Sequence, residues 1–194
     1  MENAIRQITE QLNRLIREKE SVIVAIDGAC TSGKTTLAEA LSNLYDCNVF
    51  HMDDFFLRQE QRTKKRLAEA GGNVDYERFL AEVLLPLGKK ESFSYRPYDC
   101  HAGALKDDVK VVPKKLNIVE GTYSMHPTLT DRYDYTIYLT IANEKQKERI
   151  LFRNPALHQR FFEEWIPMEQ AYFSGCEVRG RCDITFDTTK WKEL

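Results

Sequence analysis

No apolar run in the 194-residue chain approaches the ~18 residues needed to span a bilayer, which argues against a membrane-spanning helix. The opening stretch MENAIRQITEQL carries acids and lacks the continuous apolar core of a signal peptide. None of the five cysteines (Cys30, Cys47, Cys100, Cys176, Cys182) pairs with another at C-x-x-C spacing. Neither a structural zinc site nor a dithiol redox motif is therefore indicated. An odd, scattered set suits reduced thiols in a cytosol. Neither sign of charge is in excess: Lys+Arg number 28 against 30 Asp+Glu, for a net charge of −2. That balance gives no global electrostatic case for nucleic acid or anionic membrane as a partner. Internal repeats, low-complexity tracts and interdomain linkers are absent as well. What remains reads as one cytoplasmic α/β domain over residues 1–194, with homo-oligomerisation left open.

Gly28-Ala29-Cys30-Thr31-Ser32-Gly33-Lys34-Thr35 fits G-x-x-x-x-G-K-[ST], the phosphate-binding P-loop. Polyphosphate needs backbone N–H groups aimed at it, and Gly28 and Gly33 permit a path that side chains would obstruct. Lys34 is placed to reach the β- and γ-phosphates, and the Thr35 hydroxyl to ligate Mg²⁺. With Thr36 opening the next helix, residues 28–36 form the expected ATP-phosphate site. Context agrees. Ser21 to Asp27 (SVIVAID) reads as a buried strand, and Leu37, Ala38, Leu41 and Leu44 recur at helical spacing. Cys30, inside the loop, invites either of two readings. Local positive potential lowers its pKa, or it is a small residue that merely fits.

Ile5, Ile8, Leu12, Leu15 and Ile16 form one stripe, so a helix over 3–18 is expected to pack on the sheet. Further strands are expected at Cys47 to Met52, Val109 to Val112, Leu116 to Glu120, Tyr135 to Ile141 and Cys182 to Phe186. Helices are expected at Asp75 to Leu87, Asn143 to Arg153 and Phe161 to Phe173, the last starting or kinking at Pro167. Arg58 to Ala70 reads as a helix or mobile segment closed at Gly71-Gly72. Its basic cluster, Arg62 to Arg66, reads as a solvated face. Phe93 to Leu105 reads as an irregular hairpin or binding loop. The alternation predicts a three-layer α/β/α P-loop NTPase fold with a mostly parallel sheet and a short helical lid at about 153–166.

Ligands gather at the carboxyl ends of such strands. Asp53 or Asp54 ends the second strand, where it can take a proton from an acceptor hydroxyl, help hold Mg²⁺, or simply cap the next segment. The position favours Asp53. Glu120 ends an apolar strand in the manner of a Walker B acid that binds Mg²⁺. Arg149 and Arg153, i and i+4 on one helix face, can close over a γ-phosphate. Asp75 can take two sugar hydroxyls or act as an N-cap, with Tyr95, Tyr98 and His101 nearby.

Beyond the P-loop, HMDDFF (His51 to Phe56), NVDYERF (Asn73 to Phe79), YRPYD (Tyr95 to Asp99), IVEGTYS (Ile118 to Ser124) and ERILFRN (Glu148 to Asn154) follow in order. With these the chain resembles the uridine kinase/phosphoribulokinase family of P-loop kinases, which also includes nicotinamide riboside kinases. The resemblance implies ATP, or another NTP, as donor with Mg²⁺, and a small nucleoside-like acceptor. It implies Asp53 as general base, Asp75 on ribose hydroxyls, Tyr98 lining the acceptor pocket, and Arg149 and Arg153 as lid arginines beside catalytic Lys34. Phe56, His101 and Tyr123 join the acceptor side through the same motifs, Thr35, Glu120 and Asp53 the metal, and the stretch after Phe186 borders adenine. One departure stands out: uridine-cytidine kinases follow the YD element with a histidine and a nearby arginine. Here His101 comes early and is followed by Ala102-Gly103-Ala104. An N-K-x-D guanine reader is lacking too; its nearest candidate, Thr189-Lys190-Trp191-Lys192, has no carboxylate.

Overall fold

A computed structural model describes residues 1–191; Lys192 and the rest of 192–194, the end of the expected domain, lie outside the described residues. Five strands form the central sheet: β1 (Val22–Gly28), β2 (Cys47–His51), β7 (Leu116–Glu120), β8 (Tyr135–Thr140) and β9 (Ile184–Asp187). Their order is β2-β7-β1-β8-β9, and every pairing is parallel. β1 is buried along its whole length, because a parallel strand is covered on both faces. Val22, Val24 and Ile26 face one apolar cluster, while Ile23 and Ala25 face the other. The first cluster is roofed by α1 (Glu2–Glu18) through Ile8, Leu12 and Leu15, and by α2 (Lys34–Ser42) through Leu37 and Leu41. The second contains Phe79, Val83, Leu84 and Leu87 from the helical run 76–89, and Tyr172 from the run 158–175. Helices thus cover both faces of a parallel sheet, as the alternation predicts. Among the described residues, no helix is long and apolar enough to cross a membrane.

The segment between β2 and β7 departs from the main sheet. β3 (Phe93–Tyr95) pairs antiparallel with β6 (Val109–Val111), and β4 (Tyr98–Asp99) with β5 (Ala104–Leu105). The strand expected at Val109 to Val112 therefore belongs to this small appendage. Within 58–70 only the short turns Gln59–Gln61 and Lys64–Leu67 are helical. Arg66 is not on a solvated face. Its guanidinium pairs with Glu77 at 2.5 Å and donates to the carbonyls of Gly72 and Val74. Pro167 lies in the first turn of the α segment Ile166–Gly175, although the helical run as a whole begins earlier. The run begins at His158, and a π turn at Phe161–Trp165 directly precedes the α segment Ile166–Gly175 that contains the proline. The run 76–89 repeats the device, with a π turn at Leu80–Leu84 ahead of Pro86. A widened turn absorbs the missing proline N–H and the crowding of the preceding carbonyls.

Candidate active site

β1 delivers the P-loop at its carboxyl end, and two glycines set the path. Gly28 (φ +147°) lies so close to β8 that a Cβ there would sit 2.1 Å from the Leu139 carbonyl oxygen. Gly33 adopts a left-handed φ of +94° at the N-cap of α2. The Lys34 ammonium folds back to donate to the Gly28 and Ala29 carbonyls, both at 2.9 Å. Residues far along the chain hold the loop from outside. Gln146 donates to the Cys30 carbonyl (3.3 Å) and sulfur (3.2 Å), and Arg149 donates to the Thr31 carbonyl at 2.9 Å. Arg149 is buried and also reaches the Trp191 carbonyl at 3.0 Å, tying the loop to the C-terminal segment. Arg153, on the same helix Asn143–Arg153, is exposed. The expected lid residues 153–166 form a turn and the start of the run 158–175. A cleft of about 530 Å³ opens between the helix Asn143–Arg153 and the stretch after Phe186, lined by Lys145, Glu148, Arg149, Phe152, Thr189, Lys190 and Trp191, with none of the expected lid residues 153–166 in its wall.

The Cys30 thiol is pushed up to about 12, first by burial and then by the Glu169 carboxylate. Lys34 pulls the other way, and burial outweighs it, which favours the reading of Cys30 as a small residue that fits. Thr36 lies in the first turn of α2, and Ser32 is fully buried.

The register aligns the acids. His51 of β2 and Ile26 of β1 both stand opposite Glu120 of β7. Glu120 Oε1 accepts from the Thr35 hydroxyl at 3.2 Å and meets His51 Nδ1 at 2.6 Å. That hydrogen bond pulls the His51 pKa up against its burial. One hydroxyl and one carboxylate beside a phosphate nest fit Mg²⁺, which takes one or two carboxylates and completes its shell with phosphate oxygens and water. Among the described residues, no group of three or more His, Cys, Asp or Glu is arranged to hold a metal by itself. Asp53 follows β2 in the 3₁₀ turn Met52–Phe55. It is open to solvent but hemmed in by protein, so desolvation pushes its carboxyl up. Lys34 pulls it down, and Glu120 pushes it up again. The P-loop lysine, Asp53 and Glu120 thus share one local field.

The other acceptor-side residues divide. Asp75 is buried and caps the helix that starts at Tyr76: Oδ1 accepts the Arg78 N–H at 3.1 Å and Oδ2 accepts from Gln61 at 2.7 Å. The N-cap alternative is therefore realised. Tyr95 is spent in the core, 5.5 Å from the Phe55 ring centroid and 5.9 Å from that of Phe50. Tyr98 is buried, Phe56 half-buried and His101 exposed on the hairpin. Tyr123 is buried with φ +82°, a conformation that costs a non-glycine residue about 1–3 kcal/mol and concentrates at functional sites. Burial raises its phenol, followed by repulsion from Glu169.

Five residues escaped the sequence reading: Asp27, His51, Gln146, Glu169 and Tyr172. Asp27 is fully buried at the root of the P-loop. It accepts from the N–H groups of Gly28 (2.6 Å) and Met125 (2.8 Å) and from the Tyr172 hydroxyl (2.7 Å). Burial raises its carboxyl despite these donors. Its only sequence signal is an acid closing an otherwise apolar strand.

No family model matches the chain, and no curated protein matches it. Solved structures do. A possible uridine kinase from Bacillus stearothermophilus is similar over 93% of this chain and 100% of its own, at 20% identity and TM-score 0.68. A D-glycerate 3-kinase from Cryptococcus neoformans is similar over 95% and 96%, at 12% identity and TM-score 0.65. A phosphoribulokinase from Rhodobacter spheroides is similar over 87% and 70%, at 14% identity and TM-score 0.60. The chain has the fold these P-loop kinases share, a parallel α/β/α sheet with the phosphate loop after its central strand.

Proposed function

We propose that this chain is an ATP-dependent phosphotransferase of the uridine kinase/phosphoribulokinase group. It would phosphorylate the primary hydroxyl of a ribonucleoside, with uridine or cytidine as first candidates. The supporting observation is the alignment of Thr35, Glu120 and Asp53 at three strand ends around a P-loop lysine. Phosphoryl transfer asks for positioning and charge neutralisation. Lys34 exchanges two neutral carbonyls for β- and γ-phosphate oxygens. Thr35 and Glu120 would hold Mg²⁺, which would supply charge neutralisation for the donor. Asp53, raised by desolvation and two strands from the P-loop strand, with β7 and Glu120 between, accepts the proton of the acceptor hydroxyl as it attacks. Asp75 supports this side chiefly by fixing the helix start and Gln61, with Tyr98 and Tyr123 as pocket walls. Arg149 clamps the loop, and Arg153 is left to reach over the donor.

The alternative within this class is a nicotinamide riboside or other small sugar-alcohol kinase. It is favoured by Tyr95 lying in the core and His101 lying exposed, which leave little to grip a pyrimidine. ADP release over a panel of nucleosides and sugar alcohols separates the two. Asp53→Asn should keep ATP binding and lose about 10²–10⁴-fold in turnover. Wild-type protein that binds ATP but transfers to no acceptor would favour a nucleotide-dependent switch instead.

A further inference from the structure

Glu169 has no part in the transfer scheme, yet it occupies a telling position. It is a carboxylate from the helical segment Ile166–Gly175, 6% exposed, and its Oε2 accepts the backbone N–H of Cys30 at 3.0 Å. Cys30 belongs to the loop whose amides are there to receive phosphate. The Lys34 ammonium sits on the carbonyls of Gly28 and Ala29, immediately before that amide; burial raises the Glu169 carboxyl, while Lys34 and the Cys30 N–H pull it back toward the charged form. A P-loop lysine reaches the β- and γ-phosphates. The side chain therefore stands toward the terminal end of the donor, beside Tyr123. An anionic side chain on an anion nest excludes, or repels, a second anion there.

We propose that Glu169 is a specificity-determining residue of the donor site. It occupies the Cys30 amide in the nucleotide-free protein, and its charge opposes the terminal phosphate of a triphosphate more than a diphosphate. Triphosphate entry then requires Glu169 to leave that amide, which moves the run 158–175. This inference rests on the P-loop reading but not on any acceptor or on transfer.

The experiment measures dissociation constants for a non-hydrolysable ATP analogue and for ADP, both with Mg²⁺, by calorimetry on wild type and Glu169→Gln. Glutamine keeps the length and an acceptor for the Cys30 N–H but removes the charge. The triphosphate is expected to bind about tenfold tighter to the variant, with ADP changed about twofold or less. Equal changes for the two nucleotides, or weaker triphosphate binding, overturn the proposal. If the wild type binds neither nucleotide, the phosphate-loop reading falls with it; if it binds both and the ratio is unmoved, only the role of Glu169 falls. A second measurement needs no variant. In ¹⁵N-labelled wild type, the Cys30 amide resonance should shift with the ATP analogue and stay near its starting position with ADP. A Cys30 amide indifferent to saturating triphosphate refutes the displacement.

Discussion

Replacing Tyr172 with Phe isolates one buried hydrogen bond. The hydroxyl donates to Asp27 Oδ2 at 2.7 Å, and both residues are 0% exposed. The ring stays, so its packing on Tyr123 (4.8 Å between centroids) and Phe173 (5.4 Å) is kept. Asp27 retains the Gly28 and Met125 N–H groups, so one of three donors is lost. A hydrogen bond to a charged group contributes about 1.5–3 kcal/mol, and in a domain of this size each kcal/mol moves Tm by about 2–4 °C. The expected deficit is about 2 kcal/mol, or 4–8 °C, at pH 7 by circular dichroism melting. Its pH dependence has a definite sign. Folding raises the Asp27 carboxyl, so the stability tied to its protonated form is complete below the unfolded value and lost as pH rises through the folded one. The Tyr172 hydroxyl counters this by favouring the charged form. Its removal should therefore cost more as pH rises through the folded Asp27 value. A melting temperature within about a degree of wild type at pH 7, or a loss that shrinks as pH rises, refutes the reasoning.

Two other perturbations follow from the geometry. Gly28→Ala drives a Cβ into the Leu139 carbonyl at a φ of +147°, so β1 and β8 must part; a loss of at least about 3 kcal/mol is expected from urea unfolding. An unchanged urea midpoint would rule out that close approach. His126 stacks on Tyr76 at 3.7 Å, and burial with nearby Arg66 pushes its pKa down to about 4. The unfolded chain takes the proton first, so stability is lost as pH falls from about 6.5 toward 4. His126→Gln lacks this loss, and the wild-type advantage in Tm should shrink between pH 7 and 4.5. A constant difference would contradict it.

Elements with clean local signals were legible with the right ends, as at the strand Leu116–Glu120 and the helix Asn143–Arg153. Periodicity and a flanking acid or proline are local signals, and these elements obey them. The π turns ahead of Pro86 and Pro167 were not legible, because a proline alone does not say whether its helix breaks or widens. The site divided in the same way. Gly28 to Thr35, Asp53 and Glu120 announce themselves by residue type at a strand end. Glu169 and Gln146 do not, since their roles arise from bonds to Cys30 that span more than half the chain. Asp75 satisfied both of its readings in sequence, and only its contacts with Arg78 and Gln61 distinguish them.

The central position of β1 carries a cost during synthesis. Of the five strands of the central sheet Val22–Gly28 is made first, yet its neighbours are Leu116–Glu120 and Tyr135–Thr140. Until those are made, a mostly apolar ribbon has no hydrogen-bonding partner on either edge, a state prone to sticking to other chains. Nascent chains ending before Gln146 would carry the phosphate motif without the outer clamps that Gln146 and Arg149 place on Cys30 and Thr31.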